Sequence, residues 1–444
     1  MARLAFHSID GRILWVILGA FVIRLIAIPL THQVQYTSDE REYISIGEKV
    51  AGGGEFIDSN GERSTRSPLF PLMLATVFHF VGSSLLLPHI INCVFGVLIV
   101  WLGVELSLQY GANKTAALAT AVVLSLHPGL VVYSGLLQTE SLYIVLLLLV
   151  LIVANRVLES PTLPNTMVLG IVGGLAALTR VVFLGFFPFL IAALGWMRWK
   201  DGQRNFAPLM AVALVFLVVL LPWTIRNYRV HGKVILVSSG GWRSLLTGNN
   251  PYASGTWRAD KGYSQWFRQE VAEHGIADAD SIGELQSDEI SRKIAFEYMI
   301  SNPAEVLKMA AKKAHIFFVY PITHSDSYLP LQALAVAFDF ILLLGAAVGL
   351  VATVGLRAQL IPLYMALAYF SSVHCLLHAE ARFRLPLVPL LCLFFGLGMS
   401  NLMDKSRRDK FLAGKKVCLA LGGIVACIVL VYSYTGWLFL SGRV

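Results

Sequence analysis

Apolar runs of about 18 to 25 residues recur along most of this 444-residue chain, each long enough to cross a bilayer as a helix. That recurrence leaves few architectures open. In hydrocarbon every backbone N–H and C=O must be paired inside the protein, so runs of this length span as helices. Composition agrees, with 56% of residues hydrophobic and 14% charged, which excludes an ordinary soluble globule. The expected class is an all-α polytopic membrane protein. The formal net charge of +8 sits largely in connections between spans, which argues for topology and contact with anionic lipid. No Lys/Arg-rich arm interleaved with aromatics is present, so nucleic acid is not an expected partner.

The pattern places spans at 12–30, 86–108, 115–132, 139–156, 166–181, 183–198, 206–225, 331–354, 359–377, 384–402 and 417–439. The apolar stretch 68–81 covers only about 21 Å at the helical rise, too short to cross. The basic connections are the N-terminus, Lys114, Arg156, Arg198 to Lys200 with Arg204, Arg357, and the run Lys405 to Lys416. They fall on one side only if 68–81 lies along the outer interface as a juxtamembrane helix. The N-terminus is then cytoplasmic and the C-terminus outside. The apolar run from Ile13 is interrupted by Arg24 and followed by no small-x-small cleavage site, so an uncleaved first span is expected. Cys93, Cys375, Cys392, Cys418 and Cys427 lie inside spans and read as small core hydrophobes. Three regions follow: a core module over 1–225, an outer loop region over 226–330, and C-terminal transmembrane helices over 331–444.

The first polar loop, Gln35 to Leu74, carries the paired carboxylates Asp39 and Glu40. Asp39, Tyr43, Ile46 and Val50 recur at helical spacing on one face. Gly52, Gly53 and Gly54 end that helix, and Ser67 is expected to cap a second helix with Pro68 in its first turn. In the outer region, a Gly-rich stretch precedes a helix near 281–300 and an amphipathic helix over 303–319. That last helix carries Lys308, Lys312 and Lys313 on its polar side.

Sorted by depth, the ionisable groups collect toward the outer face: Arg24, Glu140, Arg180, Arg226, His374, His378, Glu380, Arg382 and Arg384. Charge at membrane depth is expensive and usually faces a polar cavity. Guanidinium forks match phosphate oxygens. Carboxylates suit hydroxyls, as sugar ligands or as a general base. A shared outward cavity of this kind fits a lipid-phosphate-linked sugar whose glycosyl unit passes to a hydroxyl or amine. No P-loop or nucleotide-binding Gly-rich loop lies on the cytoplasmic side.

At this point the chain resembles the GT-C superfamily of polyprenyl-phosphate-sugar-dependent glycosyltransferases, closest to the protein O-mannosyltransferase and lipid A aminoarabinose transferase branch. The likeness rests on SDEREY (Asp39-Glu40), RSPLFPL (Arg66 to Leu72), Thr139-Glu140, LTR (Leu178 to Arg180), PWTIRN (Pro222 to Asn227), GNNP (Gly248 to Pro251) and EARFRLPLVP (Glu380 to Pro389), in the family's order. It implies a GT-C fold of about eleven spans, two juxtamembrane helices and a small outer loop domain. It also implies Asp39 as catalytic base. Glu40, Tyr43, Arg66, Glu140 and Asn249 would contact substrate, and Arg24, Arg180, Arg226, His378, Arg382 and Arg384 the phosphate. The chain departs from the family where Arg66-Ser67-Pro68 replaces Lys or His before a Pro-Pro pair.

The implied partners are a polyprenyl-phosphate-sugar donor, a glycan, lipid or protein acceptor, and the bilayer, with localisation to the inner membrane. Metal binding is left open: His374 and His378 stand four apart with Glu380 nearby, which allows a divalent ion. Two other readings stand beside this one. A ligase or polymerase would use a diphosphate-linked donor. A transporter would place its polar site near the midplane, where Asp339 is the candidate and Arg24 a structural partner for it.

Overall fold

The computed structural model of the chain describes residues 10–32, 38–276, 278–279, 281–320, 329–353, 358–403 and scattered positions between 423 and 433. Its named elements are all helical: α1 Gly11–His32, α2 Ser38–Ala51, α3 Leu69–Val81, α4 Leu86–Gln109, α5 Lys114–Leu126, α6 Pro128–Gly135, α7 Thr139–Glu159, α8 Leu163–Thr179, α9 Phe183–Lys200, α10 Ala207–His231, α11 Gly241–Gly248, α12 Tyr263–Glu273, α13 Glu284–Ser301, α14 Pro303–Val319, α15 Leu329–Thr353, α16 Ile361–Leu376 and α17 Val388–Met403. A 3-10 segment, Ala381–Leu387, leads into α17. Six runs are long and apolar enough to cross a membrane, in α1, α4, α7, α10, α15 and Ala381–Ser400, and the bent pair α5/α6 makes a seventh. The chain is a multi-pass membrane protein. Each expected span from 12–30 to 384–402 has a helical counterpart, and 417–439 lies largely outside the described residues.

Two spans form the centre. In α7, 83% of the spanning window is buried, and in Ala381–Ser400, 89%, against 22% for α1 and for α10. The outer helices expose Trp15, Ile26, Met210 and Leu214, as helices facing lipid should. Close approach between helices rests on glycine, as it does where no hydrophobic force joins helices in lipid. A Cβ on Gly349 of α15 would lie 1.8 Å from the Phe394 carbonyl oxygen of α17. On Gly170 and Gly174 of α8 it would meet Val215 and Val219 of α10 at 2.7 and 2.6 Å.

Three expectations are corrected. The span 115–132 is not one helix: α5 and α6 meet at 52°. Pro128 drives His127 out of the helical region (φ −60°, ψ 116°). The exposed carbonyls of Leu124 and Ser125 then take hydrogen bonds from Arg24 at 3.3 and 3.4 Å. Ser67 does not cap α3; Pro68 occupies that position without a side-chain cap, its ring holding φ at −82° while its carbonyl accepts from Leu72 N at 3.0 Å. Lys313 of α14 turns inward and is fully buried, because Asn249 Oδ1 and the Leu376 carbonyl receive its ammonium at 3.2 and 3.0 Å.

The expected juxtamembrane pair is α2 and α3, packed against one another. Outside the bundle, α11, α12 and α13 close a small core of Leu245, Leu246, Val271, Ile290, Ile294 and Ala295. Glu284, opening α13, joins this unit to the first loop by accepting from Arg63 N and Ser64 N at 2.8 and 3.0 Å and from the Ser239 hydroxyl.

Candidate active site

The site assembles where α2, the N-terminus of α7, the C-terminus of α8 and the 3-10 segment before α17 converge. Asp39 stands in the first turn of α2 with one guanidinium on each carboxylate oxygen. Arg66 Nη1 donates to Oδ1 at 2.9 Å, and Arg382 Nη2 lies 2.7 Å from Oδ2. Burial pushes this carboxyl up, but the charges of Arg382 and Arg66 outweigh it and hold the group down at about 2. Arg66 also lies over the Tyr43 ring, 5.7 Å from its centroid, and Tyr43 in turn meets Phe70 of α3 edge-on at 5.6 Å. A stacked guanidinium keeps its fork in one plane, ready for a bidentate anion.

Arg382 reaches three partners. Besides Asp39, its Nη1 donates to Gln138 Oε1 at 3.1 Å, and its Nε lies 3.2 Å from Glu380. Burial raises the Glu380 carboxyl above its ordinary value. Across the site, Glu140 opens α7 with its carboxylate 3.6 Å from Arg180, at the positive end of the helix dipole. Phe383 sits under both guanidiniums, at 5.2 Å from Arg180 and 5.4 Å from Arg382. Asp39, Glu140 and Glu380 therefore face Arg66, Arg180 and Arg382 in a cluster with no net charge.

Glu40 serves a different purpose. It is buried, and its Oε1 accepts from Leu137 N at 2.7 Å, fastening α2 to the turn that presents Gln138. Asn249 is likewise buried, donating to the carbonyls of Leu245 and Leu376 at 2.8 Å each. It holds the roof of the site down on the end of α16. Gly248 beside it leaves no room for a side chain, since a Cβ there would fall 1.7 Å from the Leu377 carbonyl oxygen. Burial lowers the Lys313 ammonium under this roof to about 8. His378 is held at about 4 by burial, so at neutral pH it offers an anion a hydrogen bond and no charge.

Three arginines read from the sequence as phosphate ligands lie apart from the cluster. Arg24 is fully buried between α1, α5 and α6, donating to the Ala20 carbonyl at 3.1 Å and to Ser134 Oγ at 3.2 Å besides the carbonyls at the helix break. Arg226 donates to the carbonyls of Arg63 and Phe56 at 2.6 and 2.9 Å and lies 4.7 Å from the Trp223 ring centroid. It clamps the first loop onto α10. Arg384 is buried against Asp339 at 2.5 Å, so Asp339 pairs with Arg384 and His127, not with Arg24. Gln138, Lys313 and His127 were not read as site or support residues from the sequence, and Asp339 was read only as a midplane polar candidate. The signal for Gln138 was its place beside Thr139-Glu140 in an otherwise apolar run.

His374 and His378 both lie against aromatic rings. His374 stacks between Phe317 and Phe383 with centroids at 5.8 and 4.5 Å, and His378 meets Phe383 edge-on at 5.5 Å. Among the described residues, no group of three or more His, Cys, Asp or Glu side chains is placed to hold a metal ion.

This helical arrangement is similar to the GT-C fold of known glycosyltransferase structures. Residues 66–225 match the family described as dolichyl-phosphate-mannose-protein mannosyltransferase. The chain is similar in fold to the archaeal oligosaccharyltransferase AglB from Archaeoglobus fulgidus, solved with an inhibitory peptide and a dolichol-phosphate, at 16% identity and a TM-score of 0.52 over 95% of this chain and 55% of that one. This chain thus spans about half the length of that enzyme. A further structure of the Archaeoglobus oligosaccharyltransferase, in complex with Zn and sulfate, matches at 15% identity and TM-score 0.52 over 94% and 52% of the two chains. ArnT from Cupriavidus metallidurans, bound to undecaprenyl phosphate, matches at 12% identity and TM-score 0.42 over 88% and 78%. No curated protein sequence matches significantly.

Proposed function

We propose that this protein is an inverting glycosyltransferase that moves a sugar from a polyprenyl-phosphate donor to a hydroxyl or amine of a glycan, lipid or protein acceptor at the outer face of the inner membrane. The observation that carries this is Asp39 held between Arg66 and Arg382 at 2.9 and 2.7 Å. Two guanidiniums on one carboxylate form a ready anion site, and the donor's phosphodiester is the anion that suits it. When the phosphate takes up the two arginines, Asp39 loses the charges that depress it and regains basicity. It then accepts the proton from the acceptor as the acceptor's oxygen or nitrogen attacks the anomeric carbon. The bond from that carbon to the phosphate oxygen breaks with its electron pair on the phosphate, where Arg66 and Arg382 receive the growing charge. Inversion follows from a single displacement, with no second carboxylate acting as nucleophile. Glu140, with Arg180 beside it, and Tyr43 line the sugar side of the pocket. Each site carboxylate faces an arginine in the donor-free site, and no step here runs through a metal. The division into core module, outer loop region and C-terminal helices stands as part of this reading, with 226–330 as the acceptor-facing part.

The test is native mass spectrometry and turnover with Asp39→Asn. The variant should fold and retain a co-purifying polyprenyl-phosphate sugar, while turnover falls by about a thousandfold or more. Retained turnover would remove Asp39 from its role. A bound diphosphate-linked oligosaccharide would move the assignment to the ligase class.

A further inference from the structure

We infer that Asp339 and His127 are positioning residues for Arg382, acting through Arg384; the inference rests on the reading of Arg382 as a donor-phosphate group. A 3-10 helix has three residues per turn, so consecutive side chains leave it about 120° apart. In the segment Ala381–Leu387, Arg382 points to Asp39, Glu380 and Gln138. Phe383 points into the stack with His374 at 4.5 Å. Arg384 points the third way, into the bundle, where it is 1% exposed. The rotational setting of this one turn therefore decides where Arg382 stands, and Arg384 is the side chain that sets it.

Arg384 is gripped by groups from two other elements. Its Nη2 donates to Asp339 Oδ2 of α15 at 2.5 Å and to the Tyr320 carbonyl at 3.2 Å, and its Nη1 to the carbonyl of Phe317 at the end of α14. Asp339 is itself oriented from behind. His127 Nδ1 accepts from Leu130 N at 3.3 Å, so the hydrogen of the neutral ring sits on Nε2, 3.0 Å from Asp339 Oδ1. With one oxygen held by His127 and the other by Arg384, the carboxylate has a single orientation. His127 also stands at the α5/α6 break, and α6 leads into Leu137 and Gln138, which hold Glu40 and Arg382. One buried chain of contacts thus sets both sides of the Asp39 site.

A buried ion pair is weak evidence of a stability role, because well-packed apolar replacements of similar volume are often as stable. That makes the positional role separable by experiment. Binding of undecaprenyl phosphate would be measured by tryptophan fluorescence in nanodiscs for wild type, Asp339→Asn, Arg382→Gln and the double variant, with the charge-free pair Asp339→Leu/Arg384→Met beside them. Asp339→Asn and the charge-free pair should weaken binding about ten- to a hundredfold with thermal unfolding of the charge-free pair unchanged. In the Arg382→Gln background, Asp339→Asn should weaken binding no further. Additive losses, or wild-type affinity in the charge-free pair, would overturn the inference. Where Asp339→Asn fails to fold, the charge-free pair with and without Arg382→Gln completes the same cycle. A wild-type protein that does not bind the lipid phosphate would instead overturn the reading of Arg382 on which this rests.

Discussion

Under the proposed reading of a phosphodiester donor, Glu380 is the residue whose charge state answers to its arrival. The donor-free cluster sets three carboxylates against three arginines, and a phosphodiester adds one negative charge that does not titrate above pH 2. Burial already raises Glu380, so it is the carboxylate most easily neutralised, and a nearby phosphate raises it further. The sign follows directly. The donor favours protonated Glu380, so binding takes up a proton, and affinity rises as pH falls through the donor-bound Glu380 range and levels below the donor-free range. The slope should approach but not exceed about tenfold per pH unit, and Glu380→Gln should flatten it. Calorimetry with a polyprenyl-phosphate sugar in buffers of different ionisation enthalpy checks this, and a flat wild-type profile would reject it. Residue type and depth were legible in the sequence: Asp39, Arg66, Glu140, Arg180 and Arg382 converge as their motifs imply. Rotation about the helix axis was not. Arg24 lies at the right depth yet faces helix carbonyls, and Arg384 follows Arg382 by only two positions yet faces Asp339. Nothing local in the chain distinguishes a guanidinium turned toward a cavity from one turned toward an orphaned carbonyl.

At the scale of elements, hydropathy and length located the helices, and among the described residues six of them, or seven with the bent pair, are long and apolar enough to cross. The break at His127 escaped that logic. A proline is tolerated inside transmembrane helices when neighbours satisfy the freed backbone, so Pro128 alone does not announce a bend. What stabilises the bend is tertiary: Arg24 on the α5 carbonyls, and Asn92 Nδ2 donating to the carbonyls of Tyr133, Ser134 and Leu136 at 3.0, 3.1 and 2.6 Å. Helix contacts are more local. Gly345 and Gly349 stand four apart on α15, where a Cβ would meet Phe395 at 2.1 Å and the Phe394 carbonyl at 1.8 Å. Gly349→Ala should therefore force α15 and α17 apart, lowering stability by about 1–3 kcal/mol. Gly19→Ala, with nothing within 4 Å of its added Cβ, is the control that should unfold with wild type in a detergent thermal-shift assay. Equal transitions for the two variants would mean that the α15/α17 contact is looser than described.

Orientation belongs to the whole molecule, and it decides which pool of donor the site meets. The two most buried spans both present the Asp39 cluster at their N-terminal ends, through Glu140 and Arg382. The far end of α7 carries Arg156, 3.8 Å from Glu105 of α4 and about 24 Å from Glu140 at the helical rise. With successive helices running in alternate directions, the start of α5 at Lys114 and the α9–α10 connection with Lys200 and Arg204 fall on that same side. Basic residues in short loops are retained on the cytoplasmic side, so the carboxylate cluster and the α11–α13 unit should face out. In a background with the five cysteines replaced, Lys293→Cys on the exposed side of α13 should react with a membrane-impermeant maleimide in intact cells. Gln203→Cys in the α9–α10 connection should react only after permeabilisation. The reverse pattern would put Asp39 on the cytoplasmic face, where soluble nucleotide sugars are available. A guanidinium pair poised for a lipid phosphate would then need another explanation. The expected pattern instead requires that a lipid-linked sugar reach the outer leaflet before this site can use it.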